Sequence, residues 1–290
     1  MSIHGGILVL PVVLLRFLFR KAPKWIHCLM WLLVGLRLVF PFTIECTFSL
    51  MPSEQSVSGT YLYEQLMPTE SAAAAVYESP AAAEGTRDHL WNIAGAIWLI
   101  GICFMLLYTL VSYFRLRQCV RTATVWKGNL YQCERVKSPF ILGIIRPKIY
   151  LPYHISEEAA ELITAHENAH IKRRDHWVKP IGFLLLTVYW FHPLLWLAYI
   201  LLCRDIEAAC DEKVVSCMET DQRQMYSELL LACSVKRRSI AACPLAFGEV
   251  SVKTRVKNIM NYRKPAFWIM IAAILVCVIT GICFLTTPVQ

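Results

Sequence analysis

Long apolar runs constrain this chain more than any other feature of its sequence. Two of them, Leu90–Phe114 and Ala266–Thr286, hold no acidic or basic residue, and a helix that crosses a bilayer needs about 20 such residues. Two further runs lie close to the N-terminus and are broken only by isolated basic residues. The sequence therefore predicts a membrane α-helical protein with four transmembrane helices, at about 3–19, 25–42, 90–114 and 266–286.

The composition excludes several other classes of protein. Hydrophobic residues make up 57% of the 290 residues and charged residues 17%, whereas a soluble domain is nearer half apolar and a quarter charged. Disordered chains and small disulfide-stabilised secreted domains do not have this composition. Of the twelve cysteines, only Cys46 lies in a predicted outer segment, so no intrachain disulfide is expected there.

The distribution of charge predicts the orientation. Segment 43–89 has seven acidic residues against Arg87 alone, whereas segment 115–265 has 23 basic and 14 acidic residues. Because Lys and Arg collect on the cytoplasmic side, we expect 43–89 to be an extracellular loop and 115–265 a cytosolic domain. Both termini, including the short tail 287–290, would then lie outside. The excess positive charge fits this topology and contact with the lipid bilayer, and we expect no direct nucleic-acid binding.

The predicted cytosolic domain begins with strand-like sequence and continues as helix. Short segments at 122–126, 130–133 and 149–151 are separated by glycine and proline, which predicts a small β-sheet. Ser156 followed by two glutamates is typical of a helix N-terminus, and the pattern then stays mostly helical up to about residue 264.

One helix of this domain carries the strongest chemical signal, His166-Glu167-Asn168-Ala169-His170. Histidines four residues apart lie on one face of a helix, so both rings can bind one Zn²⁺. In this HExxH arrangement Glu167 is the expected catalytic base, which takes a proton from a metal-bound water. The alternative is an ordinary amphipathic helix with two surface histidines.

A second pair of residues supplies the ligand that the first motif lacks. Zinc in a catalytic site has three protein ligands and one open position. Glu207 lies 37 residues beyond His170, and Asp211 follows on the same helix face. We expect Glu207 to bind the metal and Asp211 to accept the free ring N–H of a ligating histidine. An ordinary charged helix face is the alternative for this pair.

The apolar run 181–203 separates the two halves of this site and is long enough to cross a bilayer. A single crossing would place Glu207 on the opposite side of the membrane from His166, where the two cannot share a metal. Proline disfavours helix in the residue before it, and His192-Pro193 lies near the middle of the run. We therefore predict a re-entrant or interfacial helical hairpin that returns to the same face.

Together these motifs resemble one protein family. HENAHIKRRDHW, YWFHPLLW and CRDIEAACDEKVV are similar to the signatures of the BlaR/MecR family of membrane metallopeptidases, and the similarity continues in SPFILGIIRPKIYLP and FGEVSVKTRVKNIM. The resemblance implies a cytosolic, mostly helical, gluzincin-like zinc metallopeptidase domain. By this match His166, His170 and Glu207 would be the Zn²⁺ ligands, Glu167 the general base, and Asp211 the residue behind the ligands.

The resemblance also implies a function. Full-length members carry an extracellular penicillin-binding sensor after the fourth span. Binding of a β-lactam to this sensor switches on the cytosolic protease, and a DNA-bound repressor is lost as a result. Only residues 287–290 follow the fourth predicted span, so we expect either a short form without this sensor, whose activating signal is open, or a truncated chain.

We accordingly expect a zinc endopeptidase of the bacterial plasma membrane that cleaves a repressor-like cytosolic protein, or itself. It would act as an antirepressor in signal transduction, linked to antibiotic resistance or cell-wall stress. The alternatives are a housekeeping membrane metalloprotease of the HtpX/Ste24 kind and a non-catalytic membrane receptor or scaffold. The oligomeric state is left open, with a homodimer among the options.

Overall fold

The fold is mostly helical, as predicted, and a computed structural model describes residues 2–40, 44–45, 80–153, 155–236 and 252–287. Its helices are α1 (Ser2–Leu18), α2 (Lys24–Val39), α3 (Pro80–Cys119), α4 (Glu157–Lys172), α5 (Asp175–Val188), α6 (Pro193–Val215), α7 (Thr220–Lys236), α8 (Val252–Met260) and α9 (Phe267–Leu285). Its strands are β1 (Ile44–Glu45), β2 (Thr124–Lys127), β3 (Leu130–Gln132), β4 (Phe140–Leu142), β5 (Lys148–Leu151) and β6 (Thr286–Thr287). Most of the predicted extracellular loop 43–89 and of the tail 287–290 lies outside the described residues.

Helix α3 contains the clearest candidate for a membrane span. Its segment His89–Cys119 is the one helix of the described residues that is long and apolar enough to cross a membrane, whereas Gly6–Leu18 and Phe267–Cys283 are shorter apolar helices. The arrangement of four spans therefore stays a prediction. The helix begins at Pro80, inside the segment predicted as a loop, because alanine, the strongest helix former, fills positions 81–83.

Helices α1, α2, α5 and α6 pack around one apolar core, which Ala273 of α9 also enters. At the edge of this core the guanidinium of Arg16 binds the carboxylate of Asp205 through two nitrogens, with Nε–Oδ2 2.7 Å and Nη2–Oδ1 2.8 Å. The indole Nε1 of Trp31 donates to the same carboxylate at 2.8 Å. Asp205 is 2% exposed, so this ion pair fixes α1 and α2 against α6 from inside the bundle.

Four strands form a small mixed sheet in the order β2-β3-β5-β4. Strands β3 and β5 are parallel, and the outer pairs β2–β3 and β4–β5 are antiparallel. Ile149 and Leu151 of β5 pack on Ala160 and Ile163 of α4, which attaches the sheet to the HExxH helix. The sheet is confirmed, with β2, β3 and β5 near the predicted segments, while β4 was not predicted because its three residues lie between turn-forming residues.

Helices α5 and α6 form a helical hairpin with its break where the sequence predicts it. Helix α5 ends at Val188, and α6 begins at Pro193, a position where proline sacrifices no helical hydrogen bond. Tyr199 and Leu202 of α6 lie over Gly182 of α5, so the two helices run side by side. The chain thus returns toward α4 before it reaches residue 207, and the placement of this hairpin in a membrane stays a prediction.

Candidate metal centre

The two histidines of the HExxH motif meet on the buried face of α4. Ser156 caps this helix, as predicted, by accepting a hydrogen bond from the backbone N–H of Ala159. The spacing of four residues then places the rings one above the other, with 3.2 Å between Nε2 of His166 and Nε2 of His170. Both side chains are almost fully buried, each with 6% of its residue surface exposed.

Glu207 of α6 reaches the same point from the neighbouring helix. Its Oε2 lies 3.6 Å from Nε2 of His166, and its Oε1 lies 3.6 Å from Nε2 of His170. The three residues form a group that can hold a metal ion. The structure therefore brings together the three side chains that the sequence analysis named as ligands.

His170 is oriented by Asp175, a residue that the sequence analysis did not assign. Nδ1 of His170 lies 2.8 Å from Oδ2 of Asp175, and because a carboxylate only accepts, this ring nitrogen carries the proton. Arg174 adopts a left-handed backbone conformation with φ 61°, which ends α4 and starts α5 within two residues. This tight turn brings Asp175 back onto the histidine of the preceding helix.

His166 is oriented by Tyr226 of α7 together with Asp211 of α6. The Tyr226 hydroxyl lies 2.8 Å from Nδ1 of His166 and donates to Oδ1 of Asp211 at 2.8 Å, so it accepts from the histidine N–H. Asp211, which the sequence analysis named as the acceptor of a histidine N–H, lies 3.3 Å from the same Nδ1, with Tyr226 as the closer partner. Burial and the neighbouring Asp211 carboxylate hold the pKa of Tyr226 well above its ordinary value, which keeps the phenol protonated as a donor.

Arg255 of α8 closes this network. Its Nε and Nη2 each donate to a different oxygen of Asp211 at 2.7 Å, and its Nη1 lies 3.3 Å from Oε2 of Glu207. The guanidinium is almost fully buried, so its charge is matched by carboxylates rather than by water. Helix α8 is thereby tied to both acidic residues of the motif on α6.

The donor geometry fits a tetrahedral metal ion. With the proton of each neutral ring on Nδ1, each Nε2 offers a lone pair, and the two Nε2 atoms lie 3.2 Å apart, where one cation can bind both. Two nitrogens bound to tetrahedral zinc lie about 3.3 Å apart, given bonds of about 2.0–2.1 Å. In addition, Oε2 of Glu207 is buried and accepts no hydrogen bond within the described part of the chain. His₂Glu is a ligand set that catalytic zinc uses.

Two cations keep Glu207 ionised. Burial alone would raise the pKa of Glu207, but the Lys179 ammonium, 2.9 Å from Oε1, and the Arg255 guanidinium hold it well below its ordinary value. The carboxylate is therefore charged and ready to bind a metal at neutral pH. Around the centre, the four carboxylates of Glu167, Asp175, Glu207 and Asp211 exceed the three cations Arg173, Lys179 and Arg255, which favours a divalent cation.

Glu167 is buried, and its carboxylate has no partner among the described residues. It follows His166 on α4 and is 7% exposed. No hydrogen bond or ion pair joins its carboxylate to another residue that the structure describes. In the HExxH mechanism the residue at this position is the general base, a role that needs a carboxylate without another partner.

Cys210 lies behind His170 and donates a hydrogen bond to Asp175. Its Sγ is 3.3 Å from Oδ2 of Asp175 and 3.2 Å from Nδ1 of His170. Burial, together with the Asp175 carboxylate, raises its pKa strongly, so it stays a thiol. A thiol donates to Asp175 and helps to fix that carboxylate.

Sequence reasoning missed four residues of this centre, Asp175, Lys179, Tyr226 and Arg255. An acid five residues after the second histidine was a readable signal for Asp175. The others have no such signal, because their partners lie between 28 and 60 residues away in the sequence. By their position in the sequence, Arg204 and His176 are candidates for stabilising an oxyanion, but no hydrogen bond or ion pair joins either one to the three ligands among the described residues.

A helix with HExxH beside a second helix with glutamate and aspartate four residues apart is the arrangement typical of zinc metallopeptidases. The chain belongs to the BlaR1 peptidase M56 family, whose profile matches residues 1–259. The family resemblance read from the sequence motifs is thereby confirmed.

Curated relatives agree with this family. The chain is 27% identical over 195 residues to the regulatory protein BlaR1 of Bacillus licheniformis, which covers 58% of this chain and 32% of that protein. It is 26% identical over 179 residues to the methicillin resistance mecR1 protein of Staphylococcus aureus, covering 57% of this chain and 31% of the relative. The mecR1 protein of Staphylococcus epidermidis gives the same values. The chain thus spans about a third of the length of these relatives.

Proposed function

We propose that this protein is a membrane-embedded zinc endopeptidase that cleaves a repressor-like cytosolic protein, or itself, in a signalling circuit. The observation that carries the proposal is the convergence of His166, His170 and Glu207 on one buried point, with the unpartnered Glu167 beside it. Membership of a peptidase family supports the activity, and relatives named as regulatory and resistance proteins support the circuit.

The chain's own residues divide the work of peptide hydrolysis. A zinc ion held by the three ligands would supply a Lewis acid and a water of lowered pKa. Glu167 accepts the proton of the attacking water and returns it to the leaving amine. Asp175 and the Tyr226–Asp211 pair keep Nδ1 of each histidine protonated, so that each Nε2 presents a lone pair to the metal. Lys179 and Arg255 keep Glu207 ionised.

The substrate is expected to bind in extended form along an open edge of the sheet. The two edge strands are β2 and β4, and the sheet is attached to the HExxH helix through β5. An extended peptide gains main-chain hydrogen bonds at such an edge, while side-chain pockets select its sequence.

Several contacts support the proposed topology, with the bacterial plasma membrane as location and both termini outside. The turn between α1 and α2, predicted to be cytosolic, meets the metal-binding helix, since the backbone N–H of Lys24 donates to Glu212 at 2.7 Å. At the opposite ends of α2 and α9, Ile44 pairs with Thr286 in a parallel register. The ends predicted to be extracellular therefore lie together, and the cytosolic turn lies with the site.

The test of the activity is metal analysis and cleavage by the purified full chain, with Glu167→Gln as the variant. Glu161→Gln is the matched control, because Glu161 is exposed on the same helix. We expect stoichiometric zinc in all three proteins and cleavage of a candidate repressor by wild type and control, with a loss of about 10²-fold or more in Glu167→Gln.

Two results would contradict the proposal. One is a wild-type protein without stoichiometric zinc, and the other is cleavage by Glu167→Gln at the wild-type rate. Unfolded casein serves as a second substrate, since rapid cleavage of casein without cleavage of any repressor would favour a housekeeping protease. For the topology, a reporter fused after Val215 should give a cytosolic signal, and a periplasmic or extracellular signal would contradict the hairpin.

A further inference from the structure

A cavity of about 430 Å³ lies where α3 ends against the sheet. Phe114, Arg117, Gln118 and Arg121 line one side, and their spacing of three, four and seven residues places them along one face of the helix and its final turn. Val120 and Tyr150 complete the lining. This cavity is separate from the metal centre, because its lining includes none of the ligands and none of their hydrogen-bond partners.

The cavity has a rigid apolar floor. Val120 and Tyr150 are each 7% exposed, and they pack in one cluster with Cys133 and Val136. The Tyr150 ring stacks on Phe140, with ring centroids 5.5 Å apart and an angle of 23° between the planes. Such a floor offers apolar contact to the hydrocarbon or glycerol part of a ligand.

The rim carries two positive charges without a counter-charge. Arg117 and Arg121 are exposed, no acidic residue lines the cavity, and no ion pair joins either guanidinium to the described part of the chain. Guanidinium groups present planar donors that match a phosphate group in two-point geometry. The cavity therefore combines the recognition of an anion with an apolar surface next to it.

The position of the two arginines along α3 indicates that such a ligand comes from the lipid bilayer. The arginines stand at the end of His89–Cys119, the helix segment that is long and apolar enough to cross a membrane. The end of such a segment lies at the depth of the lipid headgroups, where basic pockets next to spans bind anionic lipids. The volume is also within the roughly 300–1,000 Å³ of small-molecule sites.

We infer that this cavity binds the headgroup of an anionic phospholipid, with its phosphate between Arg117 and Arg121 and its glycerol on Tyr150 and Phe114. The two arginines would hold the end of α3, and with it the attached sheet, at the membrane surface. This site does not depend on the proposed peptidase activity.

The test uses the full chain in detergent micelles and counts bound lipid by native mass spectrometry. The probes are dioleoylphosphatidylglycerol, dioleoylphosphatidylcholine and inorganic phosphate. The variant is R117Q/R121Q, and the charge-matched control is R115Q/R146Q, whose arginines are also exposed but do not line the cavity. Thermal unfolding followed by tryptophan fluorescence checks that each protein is folded, and Arg117→Gln alone replaces the double variant if that one does not fold.

We expect wild type and control to bind phosphatidylglycerol in preference to phosphatidylcholine. Affinity for phosphatidylglycerol should fall about fivefold for each arginine removed from the cavity. The inference is overturned if the double variant binds phosphatidylglycerol like wild type, or if the control loses as much as the double variant. It is also overturned if millimolar phosphate displaces the lipid, because the site would then be one for a free anion.

Discussion

Replacing Tyr226 by phenylalanine tests the histidine-positioning network by removing one oxygen atom. The hydroxyl makes two hydrogen bonds of 2.8 Å, one from Nδ1–H of His166 and one to Asp211. Phenylalanine keeps the ring, which is buried with Ala169 and Cys210 in a small apolar cluster, so we expect the fold to be retained.

The size of the effect follows from what remains around the histidine. Loss of a residue that orients a metal ligand costs about 10–100-fold in metal affinity. Here Oδ1 of Asp211 stays within 3.3 Å of Nδ1 and takes over part of the bond. We therefore expect the lower end of that range, a loss of about tenfold, which corresponds to about 1.4 kcal/mol.

The assay is competition for zinc between the purified full chain and a chelator of known affinity, at one pH. Tyr262→Phe is the matched control, because Tyr262 is half-buried and none of the described hydrogen bonds involves its hydroxyl. An affinity of Tyr226→Phe within twofold of wild type would refute the reasoning, and so would an equal loss in the control.

Three further predictions concern the buried ion pair, the second histidine and the sheet. Asp205→Asn should lower the free energy of unfolding in detergent by about 3 kcal/mol, the low end for a broken buried pair because Arg16 is 30% exposed. Asp175→Asn should lower zinc affinity about tenfold in the chelator assay, since an amide is a weaker acceptor for the histidine N–H than a carboxylate. Gly143→Ala should lower the free energy of unfolding by about 2 kcal/mol more than Gly128→Ala, because its new Cβ would lie 2.6 Å from a backbone carbonyl oxygen, whereas Gly128 faces open space.

Each of these predictions has a result that contradicts it. Glu161→Gln is the reference for Asp205→Asn, and equal stabilities of the two variants would mean that the Arg16 pair adds nothing. Unchanged zinc affinity in Asp175→Asn would show that this carboxylate does not contribute to metal binding. Equal stabilities of the two glycine variants would show that the turn before β5 yields to the added methyl group.

The parts of this fold that the sequence predicted are those governed by local spacing. Histidines four residues apart share a helix face, and proline disfavours helix in the residue before it, so the meeting of His166 with His170 and the break before Pro193 follow from short motifs. Helix α3 begins at Pro80, inside the segment predicted as a loop. That segment is polar and low in complexity, but its alanines have a high helix propensity. Strand β4 was missed because its three residues lie between turn-forming residues.

The residues that surround the ligands could not be predicted from the sequence, for a different reason. Tyr226 and Arg255 act on α4 and α6 from two later helices, and nothing in a single sequence marks which of many tyrosines and arginines meets a given histidine or aspartate. Arg16 binds the buried Asp205, 189 residues further along the chain. Buried charges find partners through the packing of helices, which sequence spacing does not encode.

Helix α6 takes part both in the candidate metal centre and in the contacts with α1 and α2. One face presents Glu207 and Asp211 to the metal centre, while Asp205 binds α1 and α2, and Glu212 accepts from the turn between those helices. A shift of α1 and α2 against α6 must break this buried ion pair, so we expect α1, α2 and Glu207 to move as one body. The two histidines belong to α4, which carries the sheet and is joined to α5 by the short turn at Arg174. Because α5 packs in the same apolar core as α6, this short turn also ties the two histidines to the helix that carries Glu207.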